Sequence, residues 1–160
     1  MEPAESTFVD HAAHVVSTEV DIAVSVEDIW GALVDNARWT EWFDCSRCVA
    51  SPQVWSAAGD TRTIKVGLLS IDEVAVDLEA PNRWSITFTA ANVALWVKAF
   101  ETVELFDTSR QGETRTEIRW TGAFEFTMFA RPFASVLMSR TARTWGQGFE
   151  NLALYLASQR

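Results

Sequence analysis

Cysteine is nearly absent from this 160-residue sequence: Cys45 and Cys48 are the only two, and both are expected as reduced thiols in a cytoplasmic setting. Basic residues are also scarce. Thirteen Lys and Arg stand against 22 Asp and Glu, a net charge of −9, which repels phosphate backbones and anionic lipid surfaces and argues against a nucleic-acid partner. No run of apolar residues approaches the roughly 20 needed to span a bilayer, so integral membrane contact is not expected. Met1 to Asp10 is acidic and polar rather than apolar, so no signal peptide is expected there. The chain lacks a glycine-rich phosphate loop and a serine-nucleophile elbow, which disfavours ATP chemistry and triad hydrolysis. Histidine is limited to His11 and His14. With Cys45 and Cys48 they make a nominal four-ligand zinc set, but the two pairs fall in different elements and His11 lies outside any periodic segment, so no metal and no cofactor are expected. Cys45-x-x-Cys48 also lacks the βαβ setting of a thioredoxin-type redox centre.

Aromatic residues, by contrast, are abundant. Eight Trp and ten Phe accompany 48% hydrophobic and 22% charged residues, an ordinary soluble composition with an unusual indole content. Each indole brings a large apolar surface and one donor that requires a partner, which suits either a Trp-rich core or an aromatic-walled cavity. The length suits one domain. Residues 1–13 show no periodicity and are expected as a mobile arm, leaving residues 14–160 as the single domain.

The longest periodic segment is the last. From Arg131 to Ser158 nothing interrupts a helical pattern, and Pro132 stands where a first turn tolerates it. Leu137, Thr141, Thr144, Gly148, Leu152 and Tyr155 fall within about 60° of one line, opposite Ser135, Ser139, Arg143, Gly146, Glu150 and Ala157. The middle of the inner face is small and polar. A bulky neighbour or a ligand must fill the space beside Thr141, Thr144 and Gly148.

Before this helix the chain reads mostly as strands. Val15 to Ala23 alternates as a half-buried strand, Ser25 caps a short helix carrying Val26, Ile29, Trp30, Leu33 and Val34, and Ala37 to Phe43 forms a second short helix or turn with Trp39 and Trp42 on one side. Strands are then expected over Thr61 to Val66; over Ile71 to Glu79 with Val74, Val76 and Leu78 opposite Glu73, Asp77 and Glu79; and over Trp84 to Thr89. Two more follow, from Leu95 to Phe106 and from Thr114 to Phe126, the last with Thr116, Ile118, Trp120, Gly122 and Phe124 on one face. The order describes an α+β fold in which an antiparallel sheet packs one face on a long C-terminal helix.

Three passages carry a resemblance. Val26-Glu27-Asp28-Ile29-Trp30 with Leu33, Asp35, Trp39 and Trp42 is similar to the first helix and Trp-containing turn of the START/Bet v 1-like (SRPBCC) superfamily, within its polyketide cyclase/dehydrase and lipid-transport group. Thr116 to Trp120 with Gly122 and Phe124 resembles that group's last strand, and Gly148 to Leu152 with Tyr155-Leu156 the end of its C-terminal helix. The resemblance spans about residues 15–158. It implies a helix-grip fold, a curved sheet wrapped around the C-terminal helix, with an elongated apolar pocket between them. It does not fix one activity, since aromatase/cyclases and lipid or hormone binders share the fold.

In such a pocket the sheet side would be Trp84, Ile86, Phe88, Ile118, Trp120 and Phe124, and the helix side Leu137, Thr141, Thr144, Gly148 and Leu152. Ionisable groups inside it would be the functional candidates. The set Leu95, Val97, Ala99, Glu101, Val103 and Leu105 is the more apolar parity of its strand, so Glu101 is expected to point inward, and Arg140 lies where it can reach the pocket mouth or an inward carboxylate. Glu101 and Arg140 are therefore the candidate catalytic pair; Arg62 and Asp72 are weaker candidates. The leading expectation is binding of a hydrophobic aromatic, polyketide-like or lipid-like small molecule. An aromatase/cyclase or dehydratase using the same pocket is the alternative, and a protein-interaction module is the third class. Ligand identity and oligomeric state stay open.

Overall fold

A computed structural model describes residues 1–159 of the chain. Seven strands make one antiparallel sheet: β1 His14–Ile22, β2 Arg47–Ser51, β3 Thr61–Val66, β4 Leu69–Glu79, β5 Arg83–Ala91, β6 Trp96–Asp107 and β7 Thr116–Phe126. Their spatial order is β1-β7-β6-β5-β4-β3-β2. Strands β2 to β7 follow one another as a meander, and β1 closes the far edge by pairing with β7 along its whole length. The connection between the two edge strands carries α1 Val26–Val34 and the short α2 Trp39–Trp42. Ser25 starts α1 as its spacing predicts, its hydroxyl accepting from the Asp28 amide at 3.2 Å.

The C-terminal helix, α3 Ala134–Ser158, lies across the concave face of the sheet. Its first turn is not α-helical: Arg131–Phe133 is a 3-10 turn with Pro132 at its start. Helix and strands enclose one large core in which Ile29, Leu33, Trp84, Ile86, Ile118, Phe149 and Leu152 are fully buried. This is the helix-grip α+β architecture anticipated from the pattern of elements.

Three expectations are corrected. The segment 1–13 is folded onto the convex face: Ser6–Asp10 forms a 3-10 turn, Ala4 and Phe8 are buried against Phe100 and Ala123, and the Glu2 amide donates to Val97 O. The apolar wall that β6 and β7 turn outward gives this segment something to cover. In β4 the inward set is Ile71, Glu73 and Ala75, with register shifts at Asp72/Glu73 and Ala75/Asp77. Val74 and Val76 therefore face away from α3, and it is Glu73 that is buried. A register irregularity between Trp96 and Lys98 likewise turns Trp96 inward and leaves Val97 exposed.

Candidate functional site

Between α3 and the sheet lies an open cavity of about 330 Å³, at the lower end of the range for small-molecule sites. Its floor and walls are mainly aromatic and aliphatic. Phe88, Trp120 and Phe124 come from the sheet, and Leu137, Thr141 and Thr144 from α3, as the spacing predicts. Trp96, Phe126, Met138 and Trp145 line it as well, as do Ile64, Val66, Leu69 and Ile71 of the β3–β4 hairpin. None of these was anticipated as a wall. Trp145 lies flat on Trp120, centroids 4.8 Å apart and planes 5° from parallel. Gly122 makes that approach possible, because a Cβ there would fall 2.5 Å from the Trp145 ring.

Five expected wall residues do not line the cavity. Trp84, Ile86 and Ile118 are fully buried nearer the α1–α2 end of the sheet, where Trp39 and Trp55 stack beside Trp84. Gly148 and Leu152 belong to the same packed end. The space left by the missing side chain at Gly148 is taken by Phe43, whose ring would lie 2.8 Å from a Cβ at that position. The helix gap is therefore divided: Phe43 and Trp42 fill its C-terminal half, and the cavity occupies the half beside Thr141 and Thr144.

At the inner end of the cavity three ionisable side chains meet. Arg62 and Glu73 face each other across β3 and β4, and Glu101 comes from β6, opposite Ile86 and Gly122. Arg62 Nε donates to Glu73 Oε2 at 2.5 Å and Nη1 to Asn36 Oδ1 at 3.1 Å. The buried Asn36 side chain is itself held by donating to the carbonyls of Val34 and Gln53. The guanidinium lies 3.7 Å from the centroid of the Trp39 ring, with Trp55 and Trp84 at 4.9 and 5.0 Å. Removed from water, the cation is stabilised by one carboxylate, one amide oxygen and three indole faces.

Glu101 has no such cation. Its Oε2 accepts from Trp120 Nε1 at 3.0 Å, and the residue is 6% exposed. Burial drives its carboxyl well above the ordinary carboxylate range, the nearby Glu73 charge adds to the rise, and the Trp120 bond and Arg62 oppose it. Burial raises Glu73 too, against the pull of Arg62. The site thus pairs an anion held by Arg62 with a second carboxyl biased toward its neutral, proton-bearing form. A neutral carboxyl can donate a hydrogen bond to a carbonyl oxygen and can give or take a proton at an adjacent carbon.

The other candidates are placed differently. Arg140 lines the cavity but is exposed, and Glu101 is not its partner, so the expected Glu101–Arg140 pair is replaced by Arg62 with Glu73. Asp72 faces outward, where it accepts from the Thr63 hydroxyl at 2.7 Å. Cys45 and Cys48 have thiols pushed up to about 11, mainly by burial, and remain protonated at neutral pH. His14 packs on Phe126, and among the described residues no group of three or more His, Cys, Asp or Glu is arranged to hold a metal.

The family model described as "Polyketide cyclase / dehydrase and lipid transport" matches residues 13–157. The chain belongs to this family. The fold is similar to that of a START superfamily protein from Mycobacterium smegmatis, at 14% identity with a TM-score of 0.71, covering 90% of this chain and 99% of that one. A protein from Mesorhizobium loti is similar at 21% identity and TM-score 0.69, over 91% of this chain and 98% of that one. The Zhui aromatase/cyclase from Streptomyces sp. R1128 shares the fold at 11% identity and TM-score 0.71, over 90% and 93%. No curated protein sequence matches the chain significantly. Membership supports a hydrophobic ligand-binding or cyclase role, and among the described residues no helix is long and apolar enough to cross a membrane.

Proposed function

We propose that the protein binds an elongated, largely apolar molecule of aromatic or polyketide-like character between α3 and the sheet, with a carbonyl or hydroxyl of that molecule directed at Glu101. The observation that carries this reading is the unfilled, aromatic-walled cavity ending at a buried carboxyl. An apolar body recovers the burial that the walls leave open, and a single acceptor at its inner end meets the neutral Glu101 donor. Thr141 and Thr144 supply the room on the helix side. The test is titration of a polycyclic ketone, followed by quenching of Trp fluorescence, against the wild type and Thr144→Trp. Saturable one-to-one binding that the added indole abolishes supports the reading; absence of binding to the wild type across a panel of polycyclic and acyl probes refutes it.

A second reading is enzymatic: the same site cyclises or dehydrates its ligand. The arrangement that favours it is Glu101 beside the Arg62–Glu73 pair, a proton donor next to an anion at the buried inner end of an apolar-walled pocket. Holding a flexible chain folded against the aromatic walls would supply the orientation part of such catalysis. Glu101→Gln keeps the shape and the Trp120 bond but cannot exchange a proton. A variant that binds as well as the wild type yet converts a poly-β-ketone analogue no faster than buffer supports catalysis; equal turnover by both excludes Glu101 from it.

A further inference from the structure

The net charge of −9 argues against anionic surfaces only if it is evenly spread, and it is not. Three segments surround the outer end of the cavity: the β3–β4 turn with its flanking residues (64–71), the β5–β6 connection with its flanking residues (90–96) and the β7–α3 connection with the first half of α3 (126–146). None contains a single Asp or Glu. They are one continuous rim. Asn92 bridges the first two through Nδ2 to Leu68 O and through Oδ1 from the Ser70 amide, and Thr127 joins the second and third by donating to Leu95 O and Ala94 O. Cavity-lining Val66, Leu95, Phe126 and Met138 come from the same three segments, so the rim frames the mouth.

This rim is also where large apolar side chains stand in water. Leu68 is 89% exposed, Phe129 82%, Met128 71% and Phe133 62%. Phe133 just before α3 and Val136, Arg140 and Arg143 on it follow at spacings of three, four and three, one exposed stripe beside the cavity mouth that passes from apolar at the tip to basic further back. Among the described residues neither Arg131, Arg140 nor Arg143 is in an ion pair. Apolar tips in front with arginines behind match the depth profile of a bilayer surface, where the acyl boundary accepts the former and phosphates the latter. A second copy of this chain fits less well, because a two-fold contact through the rim would set these unpaired arginines against each other.

We propose that this carboxylate-free apolar rim docks the protein, peripherally and reversibly, onto a bilayer containing anionic phospholipid, with the cavity mouth facing the lipid. The docked orientation lets an apolar molecule pass between bilayer and cavity without crossing water, which extends the ligand-binding reading but does not depend on it for its test. Flotation with vesicles of phosphatidylcholine, and of phosphatidylcholine with a minority of phosphatidylglycerol, reads the docking directly. Wild type is expected to float with the anionic vesicles and to be released by salt. Phe129→Ser with Phe133→Ser should lower partitioning about tenfold or more. Arg131→Gln with Arg143→Gln should lower it about fivefold per arginine on anionic vesicles alone. Leu154→Ser, an exposed position at the far end of α3, should change nothing.

All these side chains are exposed, so the variants fold, and a thermal melt verifies it. Failure of the wild type to float with either vesicle, or floating that survives the double Phe replacement, overturns the proposal. So does a concentration-dependent dimer that the same double replacement abolishes without any vesicle binding, which assigns the rim to a second copy. Probe titration in vesicle-free solution keeps the two ideas separate: intact cavity binding without flotation rejects docking alone, and flotation without cavity binding rejects the ligand reading alone.

Discussion

Replacing Glu101 by Gln should stabilise the protein at alkaline pH and leave it nearly unchanged near pH 4, an unusual direction for a substitution at a buried polar residue. In the unfolded chain Glu101 titrates near the ordinary value of about 4.3. In the native state burial holds it well above that value, with the Glu73 charge adding to the rise. Between the two values the native state keeps a proton that the unfolded state has lost. The Glu101 contribution to stability is therefore greatest below about pH 4.3 and falls by up to about 1.4 kcal/mol per pH unit until the native carboxyl ionises. Gln is neutral throughout and its oxygen still accepts from Trp120 Nε1, so the loss does not occur in the variant. Glu73 titrates in both proteins and cancels to first order in the difference.

The assay is urea unfolding of both proteins from pH 4 to pH 9. The difference in unfolding free energy should begin near zero, rise in favour of the variant above about pH 4.3 with a slope no steeper than about 1.4 kcal/mol per unit, and level off at the native pKa. A difference that does not change with pH would mean that Glu101 is hydrated in the native state. A difference that moves the other way, with wild type gaining as pH rises, would mean that Glu101 is an anion paired with Arg62. Either result refutes the assignment of a neutral carboxyl at the end of the cavity.

Arg62→Met should cost about 3–5 kcal/mol at pH 7 by leaving Glu73 buried without its cation, and urea unfolding at lower pH should recover part of the loss as Glu73 takes up a proton. Trp145→Ala should cost about 3–5 kcal/mol in the same assay, because it removes the ring stacked on Trp120 and leaves its volume open to the cavity. Phe8→Ala should destabilise by about 2 kcal/mol or more and make the segment before β1 the first site cut by protease, since Phe8 is the apolar anchor of that segment. A Phe8→Ala protein as stable and as resistant as wild type would return the segment to the status of a loose arm.

The strand and helix order was legible because most elements bury one face, and a buried face writes a period into the sequence. β1, β5 and β7 follow that rule and their inward residues share the expected parity, whereas in α3 the inner line through Leu137, Thr141 and Thr144 missed Trp145 and Phe149, which are buried beside it. The failures share a cause. In β4, Ile71-x-Glu73-x-Ala75 is the buried set, but period-2 reading prefers Val74, Val76 and Leu78: the register shift between Ala75 and Asp77 returns Leu78 to the core side, and Val76 packs outward against the covering N-terminal segment. Residues 1–13 lack periodicity because only Ala4 and Phe8 need to be buried to hold them. β2 went unread because it is a five-residue edge strand whose inward side chains are only Cys48 and Ala50. One signal for Glu73 was present: in the hairpin closed by Gly67, Arg62 and Glu73 fall directly opposite each other as a cross-strand pair of unlike charge.

The same reasoning explains why the inward placement of Glu101 was legible and the buried Arg62–Glu73 pair was not. Glu101 was legible because it interrupts an otherwise apolar parity, and an interruption of that kind requires either a functional use or a buried partner. Its cation was sought on α3, where Arg140 is the charged residue nearest the inner face. Arg140 is exposed, whereas Arg62 is enclosed by Trp39, Trp55 and Trp84, three indoles that come from α2, from the β2–β3 connection and from β5. No periodicity within one element can show a cage assembled from three. The unusual Trp content was the visible trace of it: a buried guanidinium needs polarisable faces where water is excluded, and indoles supply them while still packing as core. The aromatic excess therefore does two separate jobs, walling a cavity at one end of α3 and insulating an ion pair at its base.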